Sequence, residues 1–141
     1  MCSRSSDRRA APRVLVAEDN PINIEIMTAY LAAGGYSSTF VRDGQAAIEA
    51  VVTGEYDIVL MDIQMPVVDG MMATKGIRAL GGHAGEIPIV AVTAIHADVD
   101  AAFLRFAGLD AWVAKPVDRE QLYAVIDRLT AGFMGRDAAP G

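Results

Sequence analysis

The chain has 141 residues, 52% hydrophobic and only 21% charged, which fits one globular domain and excludes a disordered chain. Its net charge of −6 is uneven: residues 1–13 carry four arginines against one aspartate, a net +3, so the remaining 128 carry −9. An acidic body argues against nucleic acid as the main ligand, and no apolar run approaches the length of a membrane span. No apolar stretch follows the start Met, as a secretory signal would require. The single Cys2 can form neither an internal disulfide nor a metal cluster, so a reducing, cytoplasmic setting is expected.

Residues 1–12, rich in Ser, Arg and Ala and lacking hydrophobic periodicity, read as a flexible basic tail. From Arg13 to about residue 131, strand and helix patterns alternate, as in one domain built of βα units on a parallel sheet. Strands are predicted at 13–18, 36–41, 57–61, 88–92 and 111–114. Helices are predicted at about 21–33, 44–53, 70–80, 97–107 and 118–131. Asn20-Pro21 supplies a cap and a proline at the first helical position, and Gly34-Gly35 ends that helix. Asp43-Gly44 opens the second helix, Gly54 closes it, and Asp118 caps the fifth. Gly81-Gly82 and Gly85 mark a loop containing His83; His96 falls in the loop before the fourth helix, and surface positions are expected for both. Gly132, Gly135, Pro140 and Gly141 mark 132–141 as a flexible C-terminal tail. The expected fold class is α/β: a single five-stranded parallel sheet with five helices.

The first helix carries more apolar surface than one sheet contact requires. Ile22, Ile24, Ile26, Met27, Tyr30 and Leu31, with Asn23 among them, span roughly 200° of arc, whereas a helix packed on a sheet buries a stripe of about 100° or more. With the stripe centred on Met27, Ile22 and Ile24 fall on its flanks. Either neighbouring helices cover them, or they form a docking surface for a partner.

The strands deliver an unusual set of groups to one edge. The run Tyr56-Asp57-Ile58-Val59-Leu60-Met61-Asp62 reads as a strand buried on both faces that ends in an acid, and 13–18 ends in Glu18-Asp19. The carboxyl ends of strands are where open α/β sheets bind ligands. Three acids gathered there repel one another unless a positive charge lies between them. An all-oxygen set with no His or Cys in the pattern suits Mg²⁺ and not zinc. Two further strands end in Thr93 and in Lys115-Pro116, a hydroxyl and an ammonium able to hold phosphate oxygens. Singly, each group has an ordinary structural explanation as cap, β-former or solvated charge. Together, at one edge, they point to phosphoryl chemistry.

The segments AEDNPIN (17–23), DIVLMDIQMPVVDG (57–70), IPIVAVTA (87–94) and DAWVAKPVD (110–118) resemble the receiver (REC) domain of two-component response regulators. MDIQMPVVDG is most similar to receivers of hybrid histidine kinases. The resemblance spans nearly all of 13–131 and implies a single doubly wound, flavodoxin-like five-stranded parallel sheet of order 2-1-3-4-5 flanked by five helices. It implies Asp62 as phosphoacceptor from a phosphohistidine, with Asp19, Asp62 and the backbone carbonyl of Gln64 binding Mg²⁺ and Glu18 holding a metal-bound water. Thr93 and Lys115 would hold phosphoryl oxygens, with Lys115-Pro116 a cis peptide. The partner would be a histidine kinase or a histidine phosphotransfer protein, and a phosphorylation-dependent homodimer is left open. No nucleic-acid partner or membrane span is implied within this chain.

In this family the Thr moves toward the phosphoryl group and an aromatic three residues before the Lys follows. That position holds Trp112, where Tyr or Phe is more usual, so Trp112 is either a switch with Thr93 or a static anchor. The implied function is a phosphorelay receiver, not an enzyme acting on separate substrates: it catalyses only its own phosphotransfer and dephosphorylation, as a stand-alone regulator or as part of a hybrid kinase. A haloacid-dehalogenase-like phosphatase also uses Asp, Thr, Lys and Mg²⁺. Its DxD nucleophile after the first strand is replaced here by Glu18-Asp19-Asn20. The intact acid set, Thr93 and Lys115 weigh against a phosphorylation-independent interaction domain.

Overall fold

The computed structural model describes residues 12–62, 70–93 and 108–138. In chain order the elements are β1 (Arg13–Ala17), α1 (Pro21–Ala33), β2 (Ser37–Val41), α2 (Gly44–Thr53), β3 (Ile58–Asp62), α3 (Gly70–Arg78), α4 (Gly82–Gly85), β4 (Ile89–Thr93), β5 (Ala111–Ala114) and α5 (Arg119–Ala138). All four strand pairings are parallel and the order is β2-β1-β3-β4-β5. The predicted fourth helix at 97–107 and residues 1–11 and 139–141 of the predicted tails lie outside the described residues.

Local sequence explains the helix ends. The Asn20 side chain accepts from the N–H groups of Ile22 and Asn23 at 2.9 and 3.3 Å, and the Asp43 side chain accepts from Ala46 N–H at 2.8 Å. Asp118 does the same for Gln121 at 2.9 Å. Gly35 takes φ +83° just past α1, where an L side chain would be strained. Several boundaries differ from the sequence expectation: β1 ends one residue early, β2 begins one residue late and α3 ends at Arg78 instead of residue 80. β3 and β4 each begin and end one residue later than predicted, so Asp62 and Thr93 are the final residues of their strands. The glycine loop contains a single helical turn, closed by Gly85 N–H on Gly81 carbonyl at 3.0 Å. Finally, α5 runs on to Ala138 instead of stopping near residue 131.

The period-two alternation of buried strands sorts the core into two layers. Val14, Val16, Ile58, Leu60, Val90 and Val92 pack with Met27 and Leu31 of α1 and with Leu122, Val125 and Ile126 of α5. Leu15, Ala17, Val59, Met61, Ile89 and Ala91 pack with Ala47 and Val51 of α2 and with Ala73 and Ile77 of α3. Both faces of β1, β3 and β4 are therefore apolar, which accounts for their unbroken hydrophobic runs. Continuing the count past each strand places Glu18 and Asp62 on the α1/α5 side.

At the opposite edge of the sheet, Arg78 closes the connection into β4 and β5. Its Nε donates to Gly108 carbonyl at 2.9 Å, and its Nη1 donates to Gly85 and Ile87 carbonyls at 2.8 and 2.6 Å. Its Nη2 donates to Asp110 Oδ2 at 2.9 Å, and the same carboxylate oxygen accepts from Ile89 N–H at 2.8 Å. Gly108, at φ +98°, passes so close that a Cβ would lie 3.1 Å from Arg78 Cγ. Replacing Arg78 with Met should cost about 2–4 kcal/mol in urea unfolding, because three carbonyls and a carboxylate lose charged donors. Lys should recover less than half, since one ammonium cannot reproduce the planar fork. A cost below about 1 kcal/mol would show that the fold does not depend on this clasp.

Candidate functional site

The carboxyl ends of β1 and β3 bring the acids together. Glu18, Asp19 and Asp62 each offer a carboxylate oxygen, and these oxygens lie within 4.8 Å of one another. Glu18 and Asp62 are buried; Asp19 is half-buried. Lys115, immediately after β5, reaches in from the side. Its Nζ lies 3.1 Å from Asp62 Oδ2 and 3.4 Å from Glu18 Oε1. Thr93 is buried at the end of β4, and its carbonyl accepts Lys115 N–H at 2.8 Å, fixing the tips of β4 and β5 together. Lys115-Pro116 is a cis peptide, as the resemblance implies. Gln64 lies outside the described residues.

The two oxygens of Glu18 are held differently. Oε2 accepts from Asn20 N–H at 3.2 Å. Oε1 is buried and lies 3.4 Å from Lys115 Nζ, with no hydrogen bond formed to it among the described residues. A buried carboxylate oxygen in that condition is costly, and a hard divalent cation with its waters would satisfy it. The donor set therefore fits such an ion. Three carboxylates against one ammonium leave the cluster net negative without it. Burial pushes the Glu18 carboxyl above the ordinary carboxylate value of 4.5, and the nearby Asp62 adds to the rise; the Asn20 N–H opposes it, and Lys115 less so.

Beside the acids runs a groove of about 70 Å³. Asn23, Ile26, Met27 and Tyr30 of α1 form one wall, and Lys115, Pro116 and Val117 form the other, with Glu18 between them. Ile22, 66% exposed, and Ile26, 40% exposed, extend the α1 wall outward, whereas Ile24 is half-buried. Of the two residues expected at a docking surface, Ile22 is thus the more open. Ile26 was missed as a candidate, although its place one turn after Ile22 was a usable signal. Trp112 is half-buried and packs against the α2/α3 layer of the core, not in the groove.

Fold and site together define a doubly wound α/β protein with an acidic, lysine-bridged pocket at the carboxyl edge of its sheet. The sequence signature of the response regulator receiver domain matches residues 14–127, and the chain belongs to this family. It is 39% identical over 132 residues to the sensor protein GacS of Pseudomonas syringae pv. syringae, covering 92% of this chain and 14% of that protein. It is 36% identical over 129 residues to hybrid signal transduction histidine kinase I of Dictyostelium discoideum, covering 87% and 7% respectively. The chain thus spans a small part of these relatives. Among solved structures, it is similar to the receiver domain of sensor histidine kinase PA1611 from Pseudomonas aeruginosa, which has a magnesium ion coordinated in the active site cleft. That match has TM-score 0.78 and 36% identity, over 86% of this chain and 98% of that one. It is also similar to a co-crystal structure of the Saccharomyces cerevisiae histidine phosphotransfer protein Ypd1 with the receiver domain of Ssk1. There the TM-score is 0.78 and the identity 28%, over 86% and 90%.

The raised Glu18 value makes a signed prediction. An acid that holds its proton more tightly when folded stabilises the fold at low pH, and that contribution is lost as pH rises from the ordinary value through the raised one. In chelator, the wild-type protein should therefore lose melting temperature across that window relative to Glu18→Gln, and millimolar Mg²⁺ should narrow the difference. Parallel pH profiles for the two proteins in chelator would refute the assignment.

Proposed function

We propose that the chain is a phosphorelay receiver: Asp62 accepts a phosphoryl group from a phosphohistidine and the change of charge alters an interaction surface. The observation that carries this reading is the contact of Lys115 Nζ with Asp62 at 3.1 Å inside the three-acid cluster. An Asp62 oxygen attacks phosphorus, the N–P bond breaks, its electron pair returns to the imidazole nitrogen, and an acyl phosphate remains on Asp62. Lys115 pairs with a phosphoryl oxygen as charge moves off the donor, and the Thr93 hydroxyl binds a second. Glu18, Asp19, Asp62 and the Gln64 carbonyl would hold Mg²⁺, which when bound neutralises charge on the phosphoryl oxygens. Attack of water on the same phosphorus reverses the state, so the chemistry is directed at the chain itself.

The same reading assigns 13–131 as the receiver unit, a cytoplasmic setting, and a histidine kinase or histidine phosphotransfer protein as partner. Among the described residues, no helix is long and apolar enough to cross a membrane. The exposed stripe Ile22–Ile26 beside the groove supports docking of the partner along α1. Thr93 and Trp112 would carry the change outward, and whether Trp112 moves is part of the proposal. Phosphorylation-dependent dimerisation would be one way of using that change.

Asp62→Asn should abolish labelling by acetyl phosphate in Mg²⁺, measured by phosphate-affinity electrophoresis; persistent labelling would remove Asp62 as the acceptor. Replacing Ile22 and Ile26 together with Ser should slow transfer from a phosphorylated histidine carrier about tenfold or more. Acetyl phosphate labelling should stay within twofold of the parent. Equal transfer rates would move the docking site away from α1.

A further inference from the structure

The two walls of the groove belong to different parts of the chain, and something must set the distance between them. One wall is α1. The other, Pro116-Val117, leads through Asp118 straight into α5, so the seat of α5 on α1 fixes the gap. Besides the apolar layer of Met27, Leu31, Leu122 and Ile126, two phenols hold that seat. Tyr123 of α5 donates its hydroxyl to Tyr30 carbonyl at 2.6 Å. This carbonyl lies in the last turn of α1 and also accepts Gly34 N–H at 3.0 Å, so Tyr123 completes its hydrogen bonding. Tyr30 is the same residue whose side chain lines the groove.

The second phenol locks the first. The rings of Tyr36 and Tyr123 lie 5.7 Å apart at 44°, and Tyr36 donates its hydroxyl to Asp127 Oδ1 at 2.7 Å, one turn further along α5. Burial and the Asp127 carboxylate push the Tyr36 phenol well above its ordinary value, so it remains a donor. Gly34 makes room for both rings. A Cβ there would stand 2.7 Å from the Tyr123 ring and 2.8 Å from the Tyr36 ring, so any side chain at 34 would force them apart.

We infer that Tyr123 is a positioning residue for partner transfer: through Tyr30 and Gly34 it sets the width of the α1/α5 groove that a phosphohistidine carrier enters. The inference rests on the proposed receiver function. It separates two properties of one site. The side chains of Glu18, Asp62 and Lys115 are placed by the sheet edge, whereas the spacing of the docking walls depends on Tyr123.

Tyr123→Phe removes one hydroxyl and keeps the ring, and Gly34→Ala tests the same seat from the other side. Both are assayed with acetyl phosphate and with a phosphorylated histidine carrier that labels the wild-type chain. Tyr123→Phe is expected to raise the KM for the carrier about fivefold with kcat within twofold, the size of effect of one lost hydrogen bond. Acetyl phosphate labelling and Mg²⁺ affinity should be unchanged, and Gly34→Ala should raise the same KM. An unchanged carrier KM in both variants overturns the inference while leaving the receiver function intact. Equal losses with carrier and acetyl phosphate also overturn it, because they indicate general unfolding. Failure of every carrier to label the wild-type chain overturns the receiver reading itself.

Discussion

The ammonium of Lys115, set between the carboxylates of Glu18 and Asp62, is the interaction on which the rest of the site depends. Parallel strands collect their side chains at one edge, and here that edge gathers acids from β1 and β3 within 4.8 Å of one another. Their repulsion in a buried setting would be severe without a counter-charge. Lys115 answers part of it from β5, the strand furthest from β1 on that side of the sheet. The cluster therefore stays short of positive charge. That deficit makes it receptive to a divalent cation, and it also leaves one Glu18 oxygen buried without a hydrogen bond.

The strand alternation decides how this edge meets the helices. Because β1, β3 and β4 are apolar on both faces, each residue's parity fixes its layer. Glu18 and Asp62 share a parity and face α1 and α5, so the acids open onto the groove those helices flank. Trp112 belongs to the other layer. The groove and Trp112 therefore lie on opposite sides of one sheet, joined through the short hydrogen bond between Thr93 carbonyl and Lys115 N–H.

Much of this was legible because it follows from short-range rules. Continuous apolar runs marked β1, β3 and β4, Asn20, Asp43 and Asp118 announced helix starts, and Glu18, Asp62, Thr93 and Lys115, at or just past strand ends, fell at one edge as parallel topology requires. The family resemblance supplied the strand order, which no periodicity could. What stayed hidden depended on contacts distant in sequence. Arg78 carried no signal in the sequence, because nothing local reveals that Gly85, Ile87, Gly108 and Asp110 converge on it. That Ile24 is half-buried could not be read until the tilt of α1 on the sheet was known. The glycines at 81, 82 and 85 suggested a loop, and the turn of helix there is held by tertiary neighbours, not by propensity.

The clasp around Arg78 has a mechanical consequence for the far edge. It fastens the amino ends of β4 and β5, through Ile87, Ile89, Gly108 and Asp110, whereas their carboxyl ends, paired to each other and to β3, carry no such clasp and meet the pocket. Two strands rooted at one end and loaded at the other act as paired cantilevers, with least travel at the root and most at the tip. Thr93 and Lys115 are those tips, coupled by a 2.8 Å hydrogen bond, so a force on either bends both. The sheet is thus anchored at one end by a clasp that takes no part in the charge balance at the other.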